Sequence, residues 1–298
     1  MARVTRQHLV RRLTGQGWSP RSDRLAVEEP LEIRIGGEPF AVTMRTPGED
    51  IDLVNGYCFS EGIIGAAEEI RTARYCDGAG PDGLNTYNVI DVALAPGVGM
   101  PAPGLRRNVL TSSACGICGS VSIDQIMDRI VEPGAASNSA PICSDVALPA
   151  ELILDAPRLL LEQQRTFAGT GGVHAAGLLG LDGRMLCVRE DVGRHNAVDK
   201  VLGWALRERR LPLAEAMLVV SGRASYELTQ KAALAGIPAL VAVSAPSSLA
   251  VDLAQRAGLT LVGFVRGESM NVYTHPDRIN LSSGEPRMIR TPDRDSAG

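Results

Sequence analysis

Three stretches decide the fold: Ala216-Met217-Leu218-Val219-Val220-Ser221-Gly222-Arg223-Ala224-Ser225, Pro238-Ala239-Leu240-Val241-Ala242-Val243-Ser244 and Leu259-Thr260-Leu261-Val262-Gly263-Phe264-Val265. Each is a short aliphatic run bounded by glycine, proline or serine, the signature of a strand buried on both faces. Ser225–Ala235 and Leu249–Ala257 carry helical patterns between them. Strands alternating with helices of about ten residues read as βαβ units, so this region predicts a parallel sheet with helices on both faces, an α/β fold.

Upstream, Ala150–Thr166 reads as a helix despite Pro157, His174–Leu181 and Met185–Arg189 as strands joined by an Asp182-Gly183 turn, and Arg194–Glu208 as an amphipathic helix. The first third has a different grammar. Leu31–Ile35 and Phe40–Met44 alternate around Gly36-Gly37 and predict a hairpin. Thr46, Pro47 and Glu49 suit a capping box for a helix through Leu53–Phe59, and strands follow near 70–76 and 86–94. Ile123–Val131 has a helical pattern. The expected organisation is a disordered basic arm at 1–24, a small α+β domain at 25–131, a Pro/Ser/Ala/Gly linker at 132–149, a larger α/β domain at 150–282 and a disordered tail at 283–298.

Composition narrows the function. Aromatic residues are 4% of the chain, so the core is aliphatic. The net charge is −4, yet residues 1–24 hold six Arg against one Asp, leaving the remainder at −9. A bulk nucleic-acid binder is usually basic over a whole domain, so nucleic acid is not expected as a partner. The chain has neither a signal-peptide pattern nor an apolar run long enough to span a bilayer, which predicts a soluble cytoplasmic protein without a membrane partner.

The chemistry concentrates at Thr111-Ser112-Ser113-Ala114-Cys115-Gly116-Ile117-Cys118-Gly119-Ser120. Two thiols three residues apart sit among glycine and small hydroxyl side chains, where backbone N–H groups favour the reactive thiolate. Such a pair can bind a metal, cycle with a disulfide or carry sulfur as a persulfide. Zinc would ask for a second ligand pair, and the sequence offers none, so no metal is assigned. A thioredoxin-type pair follows a strand in a compact βαβ unit, whereas this one lies between domains. Persulfide carriage asks only for a nucleophilic thiol on a loop free to move. The other cysteines, Cys58, Cys76, Cys143 and Cys187, read as structural.

A second concentration is expected at the carboxyl ends of the strands, where ligands of α/β sheets bind. Ser221–Ser225, Ser244–Ser248 and Phe264–Ser269 combine small residues, hydroxyls, Arg223, Arg266 and helix N-termini into an anion-friendly rim. His174 opens a strand after a glycine-rich turn. Glu190, Asp191, Arg194, His195, Asn196, Asp199 and Lys200 crowd one helix start, more densely than a scaffold helix needs.

At these residues the chain resembles the formate dehydrogenase accessory sulfurtransferase family (FdhD). The similarity is carried by Ser112–Gly119, Gly171–Ala176, Glu190–Lys200, Ser221–Arg223 and Phe264–Gly267, in the family's order, over roughly residues 25–280. The resemblance implies a cytidine-deaminase-like α/β/α larger domain and a homodimer. It implies a sulfurtransferase that receives sulfur from a cysteine desulfurase as a persulfide on Cys115, with Cys118 as partner thiol. The sulfur passes to a molybdenum bis-(guanine dinucleotide) cofactor destined for formate dehydrogenase. Phe264, Val265, Arg266, Gly267, Glu268 and Ser269 match the segment that contacts the guanine nucleotide portion, and Arg223 and His174 join them as candidate cofactor-binding residues. Deaminase chemistry itself is not expected: His174 is followed by Ala175-Ala176, without the H-x-E glutamate, and Cys115 is preceded by Ala114 rather than proline. The alternative reading is a chaperone that shields and delivers the cofactor without handling sulfur.

Overall fold

The computed structural model describes residues 3–76, 86–100, 110–111, 142 and 146–281. The stretch that decides the fold does form its centre. Strands β11 (Ala216–Val220), β12 (Ala239–Ala242) and β13 (Thr260–Arg266) are parallel and adjacent, linked by helices α5 (Tyr226–Leu234) and α6 (Ser248–Ala257). The sheet is not parallel throughout. On one side β9 (His174–Gly180) and β10 (Met185–Asp191) form an antiparallel hairpin, and β9 runs antiparallel to β11. On the other side β14 (Ser269–Val272) folds back antiparallel on β13. The short Asp182-Gly183 and Gly267 turns force both reversals, since a parallel neighbour needs a crossover of a dozen residues or more. The order is β10-β9-β11-β12-β13-β14.

Period-two alternation divides the strands between two cores. Met217, Val219, Ala239, Val241 and Val262 pack with Ile153, Ala156 and Leu160 of helix α2 (Ala150–Leu161). Leu218, Val220, Leu240, Ala242 and Leu261 pack on the opposite side with Ala197, Val198, Val201 and Ala205 of helix α4 (Arg194–Arg207). The short helix α3 (Arg165–Thr170) precedes β9. Helices on both sides of the sheet give three layers, as the sequence predicts.

The first third builds a second sheet in the order β5-β6-β3-β4-β7: β3 (Glu29–Ile35), β4 (Glu38–Arg45), β5 (Ile70–Tyr75), β6 (Val89–Leu94) and β7 (Leu110–Thr111). Helix α1 (Asp50–Ser60) lies between this sheet and α4. Leu31, Ile33 and Leu53 share one core with Leu218, Leu240 and Leu261, so this unit has no closed core of its own.

The α1–α4 crossing brings backbone against backbone. A Cβ added to Gly56 would lie 1.8 Å from Asp199 O, and one added to Gly203 would lie 1.8 Å from Asp52 O. Only glycine fits at either position. Buried charges line the same seam. Arg189 Nη2 donates to Asp52 Oδ2 at 2.8 Å, and Arg207 also pairs with Asp52. Asp199 Oδ1 accepts from Ser60 Oγ at 2.7 Å and Lys231 Nζ at 2.6 Å. Lys200 Nζ lies 2.8 Å from Asp191 Oδ2, with both side chains fully buried, and donates to Thr46 O.

Thr46 thus has a different role from the helix cap expected of it. Helix α1 begins at Asp50, after Glu49 in a left-handed conformation (φ 50°) with no side-chain cap. Thr46 N instead donates to Asp191 Oδ2, and its hydroxyl accepts from Val192 N. The seam outcompetes the capping box because it satisfies groups that are fully buried.

Two expectations at segment ends are corrected. Residues 5–26 are not a disordered arm but an antiparallel ribbon, β1 (Thr5–Thr14) and β2 (Gly17–Ala26), in continuous register from Thr5↔Ala26 to Thr14↔Gly17. Both faces are exposed, so hydrophobic alternation has no buried side to announce. The end of the expected linker, Leu148–Pro149, is strand β8, paired with β15 (Ile279–Asn280), and Leu148 is fully buried. The helix expected at Ile123–Val131 and the tail at 283–298 lie outside the described residues.

Candidate functional site

The carboxyl ends of β11, β12 and β13 form a stitched rim. Ser244 N donates to Gly222 O at 3.3 Å, Ala224 N to Ala245 O at 3.2 Å, Ser247 N to Ala224 O at 3.0 Å and Phe264 N to Ser244 O at 3.2 Å. These amides hold the three turns to one another, so they are not the free anion donors that the sequence suggests. Ser247 caps α6 by accepting from Ala250 N. Ser225, at the equivalent place before α5, caps nothing. Its hydroxyl oxygen is buried without a hydrogen-bond partner among the described residues.

Beyond Gly263 the β13–β14 ladder loses register until Arg266 meets Ser269. Gly263 is wedged against Pro246 and Ser244 O, with room for no larger residue unless the neighbours move. The displaced residue is Phe264, left-handed at φ 52° and 38% exposed. A left-handed aromatic residue costs about 1–2 kcal/mol, and such strain collects where a ligand is gripped. Arg266, Gly267, Glu268 and Ser269 form the exposed turn that follows, with Gly267 at φ 55°. Val265 does not belong with them: its side chain is fully buried in the α2-side core, because alternation turns it inward.

His174 starts β9 opposite Asp191, half-buried beside Gly222. Burial, then the positive charge of Arg194 and His195, hold its pKa below the ordinary 6.5. It is therefore a neutral imidazole near neutral pH, able to donate or accept a hydrogen bond but not to serve as a cation. His195 Nε2 lies 2.7 Å from Glu227 Oε2, off the line of a hydrogen bond, and Arg194 Nε is buried without a partner among the described residues. Arg223 is exposed in the adjoining turn.

The rim thus brings together His174, Arg223 and the Phe264–Ser269 turn, and adds Arg194 and His195, which the sequence shows only as part of a polar crowd. The remainder of that crowd is structural. Glu190 accepts from Thr166 N and Phe167 N at 2.8 Å each, holding the start of α3. Asn196 Nδ2 donates to Met44 O at 2.7 Å and to Asp191 Oδ1 at 3.1 Å. Cys115, Cys118 and Cys143 lie outside the described residues. Cys58 and Cys187 are buried, and burial pushes both thiols up to about 12, which keeps them protonated and unreactive. Cys76, by contrast, is only partly buried.

A sequence model of the FdhD/NarQ family matches residues 26–280. The chain belongs to the FdhD/NarQ family. Curated FdhD relatives are similar over nearly the whole length. One, named sulfur carrier protein FdhD, from Nocardia farcinica, is 56% identical over 285 residues, 96% of this chain and 98% of the relative. Another of that name, from Mycobacterium tuberculosis, is 51% identical over 282 residues, 94% of this chain and all of the relative. The fold matches the crystal structure of a protein assigned as a formate dehydrogenase accessory protein from Desulfotalea psychrophila. The TM-score is 0.71 at 28% identity, covering 93% of this chain and all of that one. The FdhD/NarQ match begins at the last residue of the β1–β2 ribbon. Among the described residues no group of three His, Cys, Asp or Glu side chains is arranged to hold a metal ion, and no helix is long and apolar enough to cross a membrane.

Proposed function

We propose that this chain is a cytoplasmic sulfur carrier for formate dehydrogenase maturation. In this reading the Cys115 thiolate attacks the outer sulfur of a persulfide on a cysteine desulfurase. The donor's S–S bond breaks, the desulfurase leaves as a thiolate, and the transferred sulfur stays on Cys115 as a persulfide with Cys118 nearby in sequence. It is then delivered to a molybdenum bis-(guanine dinucleotide) cofactor, which is substrate and cargo here, before that cofactor enters formate dehydrogenase. The carrier acts as a homodimer.

The observation that carries the reading is the Cys115-Gly116-Ile117-Cys118 pair within a chain similar end to end to proteins named sulfur carriers. The rim supports the cargo half. Arg223 and Arg266 are exposed cations suited to phosphate oxygens, the left-handed Phe264 offers an aromatic face to a base, and neutral His174 supplies a hydrogen bond without adding charge. Glu268, at the tip of the exposed turn, faces solvent or the donor edge of a guanine rather than phosphate. Val265 contributes through its backbone alone.

The test is the intact mass of the purified protein after incubation with a cysteine desulfurase and cysteine. A gain of one sulfur atom, removed by reductant and absent in Cys115→Ala, is expected. No gain, with guanine nucleotide binding retained, would replace the relay with a delivery chaperone.

A further inference from the structure

Arg194 is the cation that the seam leaves over. It opens α4 close after Asp191, whose carboxylate is taken by Thr46 N, Gly193 N, Asn196 and Lys200. The carboxylate at the start of α5, Glu227, faces His195 Nε2 at 2.7 Å. Arg194 has no ion pair among the described residues, and its Nε is buried there without a hydrogen-bond partner. A guanidinium drawn partly out of water with no counter-ion is unfavourable alone and gains when an anion arrives. Arg223 and Arg266 differ: both are exposed, and a fully hydrated cation gains little from pairing.

The neighbours narrow the anion. The positive charge of Arg194 reaches His174, the half-buried imidazole across from Asp191. Ser225, the residue before α5, has its hydroxyl oxygen buried without a partner among the described residues. A planar fork, an imidazole and a hydroxyl at the starts of three elements suit an anion with several oxygens, such as phosphate, better than a single sulfur atom.

Sheet order decides which phosphate. β9 lies three strands from β13, in the order β9-β11-β12-β13, which is roughly 14 Å at the usual spacing. Phe264 stands at the β13 end, Arg223 follows β11, and His174 and Arg194 lie at the β9 end. A nucleotide with its base against Phe264 therefore passes Arg223 with its first phosphate and meets Arg194 with the next.

We infer that Arg194 grips the second phosphate of a bound nucleoside diphosphate and selects a diphosphate over a monophosphate. This rests on the guanine nucleotide cargo of the proposed function.

The experiment is calorimetric titration of the full chain with guanosine diphosphate and with guanosine monophosphate, for wild type, Arg194→Gln, Arg194→Lys and Arg223→Gln. Wild type is expected to bind the diphosphate about tenfold or more tighter, the worth of one charge-assisted hydrogen bond. Arg194→Gln should bring the two affinities together by weakening the diphosphate alone. Arg194→Lys keeps the charge and loses the fork, so it should narrow the ratio less, and it stands in if the glutamine variant misfolds. Arg223→Gln should weaken both nucleotides and leave their ratio unchanged. Equal wild-type affinities, a ratio that survives in the Arg194 variants, or a ratio that collapses in Arg223→Gln instead would overturn the inference and leave the cargo reading standing. A wild type that binds neither nucleotide would overturn both.

Discussion

The α1–α4 seam and the strand-end rim draw on the same eleven residues, Glu190–Lys200, and use them in opposite ways. In the seam the buried aspartates are fully engaged: Asp191 meets Thr46 N, Gly193 N, Asn196 and Lys200, and Asp199 meets Ser60 and Lys231. At the rim Arg194 Nε and Ser225 Oγ are buried without a partner among the described residues, and Phe264 is strained. A buried polar atom left unpaired costs about 1–3 kcal/mol, so the rim gives up stability that the seam gathers. Polar density in a sequence therefore has two meanings, and only the satisfaction of each group separates scaffold from site.

The sharpest way to break this contrast is Gly203→Ala. The new methyl would sit 1.8 Å from Asp52 O on the facing helix, and backbone cannot swing aside. The cost should exceed the about 1–3 kcal/mol of ordinary overpacking and reach the about 4–5 kcal/mol found only at exceptional positions. Urea denaturation reads it. A loss below about 1 kcal/mol would mean that the seam is loose.

Smaller effects are expected at the rim. Phe264→Gly and Phe264→Ala both remove the ring, but only glycine relieves the left-handed backbone. The glycine variant should be more stable than the alanine variant by about 1 kcal/mol, while both lose guanine nucleotide affinity. Equal melting temperatures would show that no strain is held there.

The smallest effect is pH dependence at His174. Its folded pKa lies below 6.5, so the unfolded chain takes up the proton first. The stability linked to this group is complete above 6.5 and is lost as pH falls toward and through the folded value. Denaturation midpoints of His174→Asn should therefore fall less on acidification than those of wild type. Parallel profiles would remove burial beside Arg194 and His195 as the cause.

The β11–β13 core was legible because its runs are bounded by turn residues and have nowhere to go but inside. The β9–β10 hairpin was legible from its turn, but β14 was not, since its Ser-Met-Asn-Val alternation is only four residues long. Thr46 carries an N-cap pattern, and nothing local announces that Asp191, far along the chain, will take its amide. The ribbon hid for the converse reason: alternation is informative only when one face is buried. At the rim, the sequence located the turns but not their mutual hydrogen bonds. It also included Val265, which the strand's own alternation points into the core.

The seam also determines how the protein meets reagents. The sequence contains two lysines, Lys200 and Lys231, against 28 arginines. Both lysines are buried, and both ammonium groups are locked to aspartates at the seam. In the folded chain no side-chain amine is presented to an acylating reagent, since guanidinium groups do not react as amines. Acylation of Lys200, whose ammonium also donates to Thr46 O, would then report directly that the seam has opened, with no label to install.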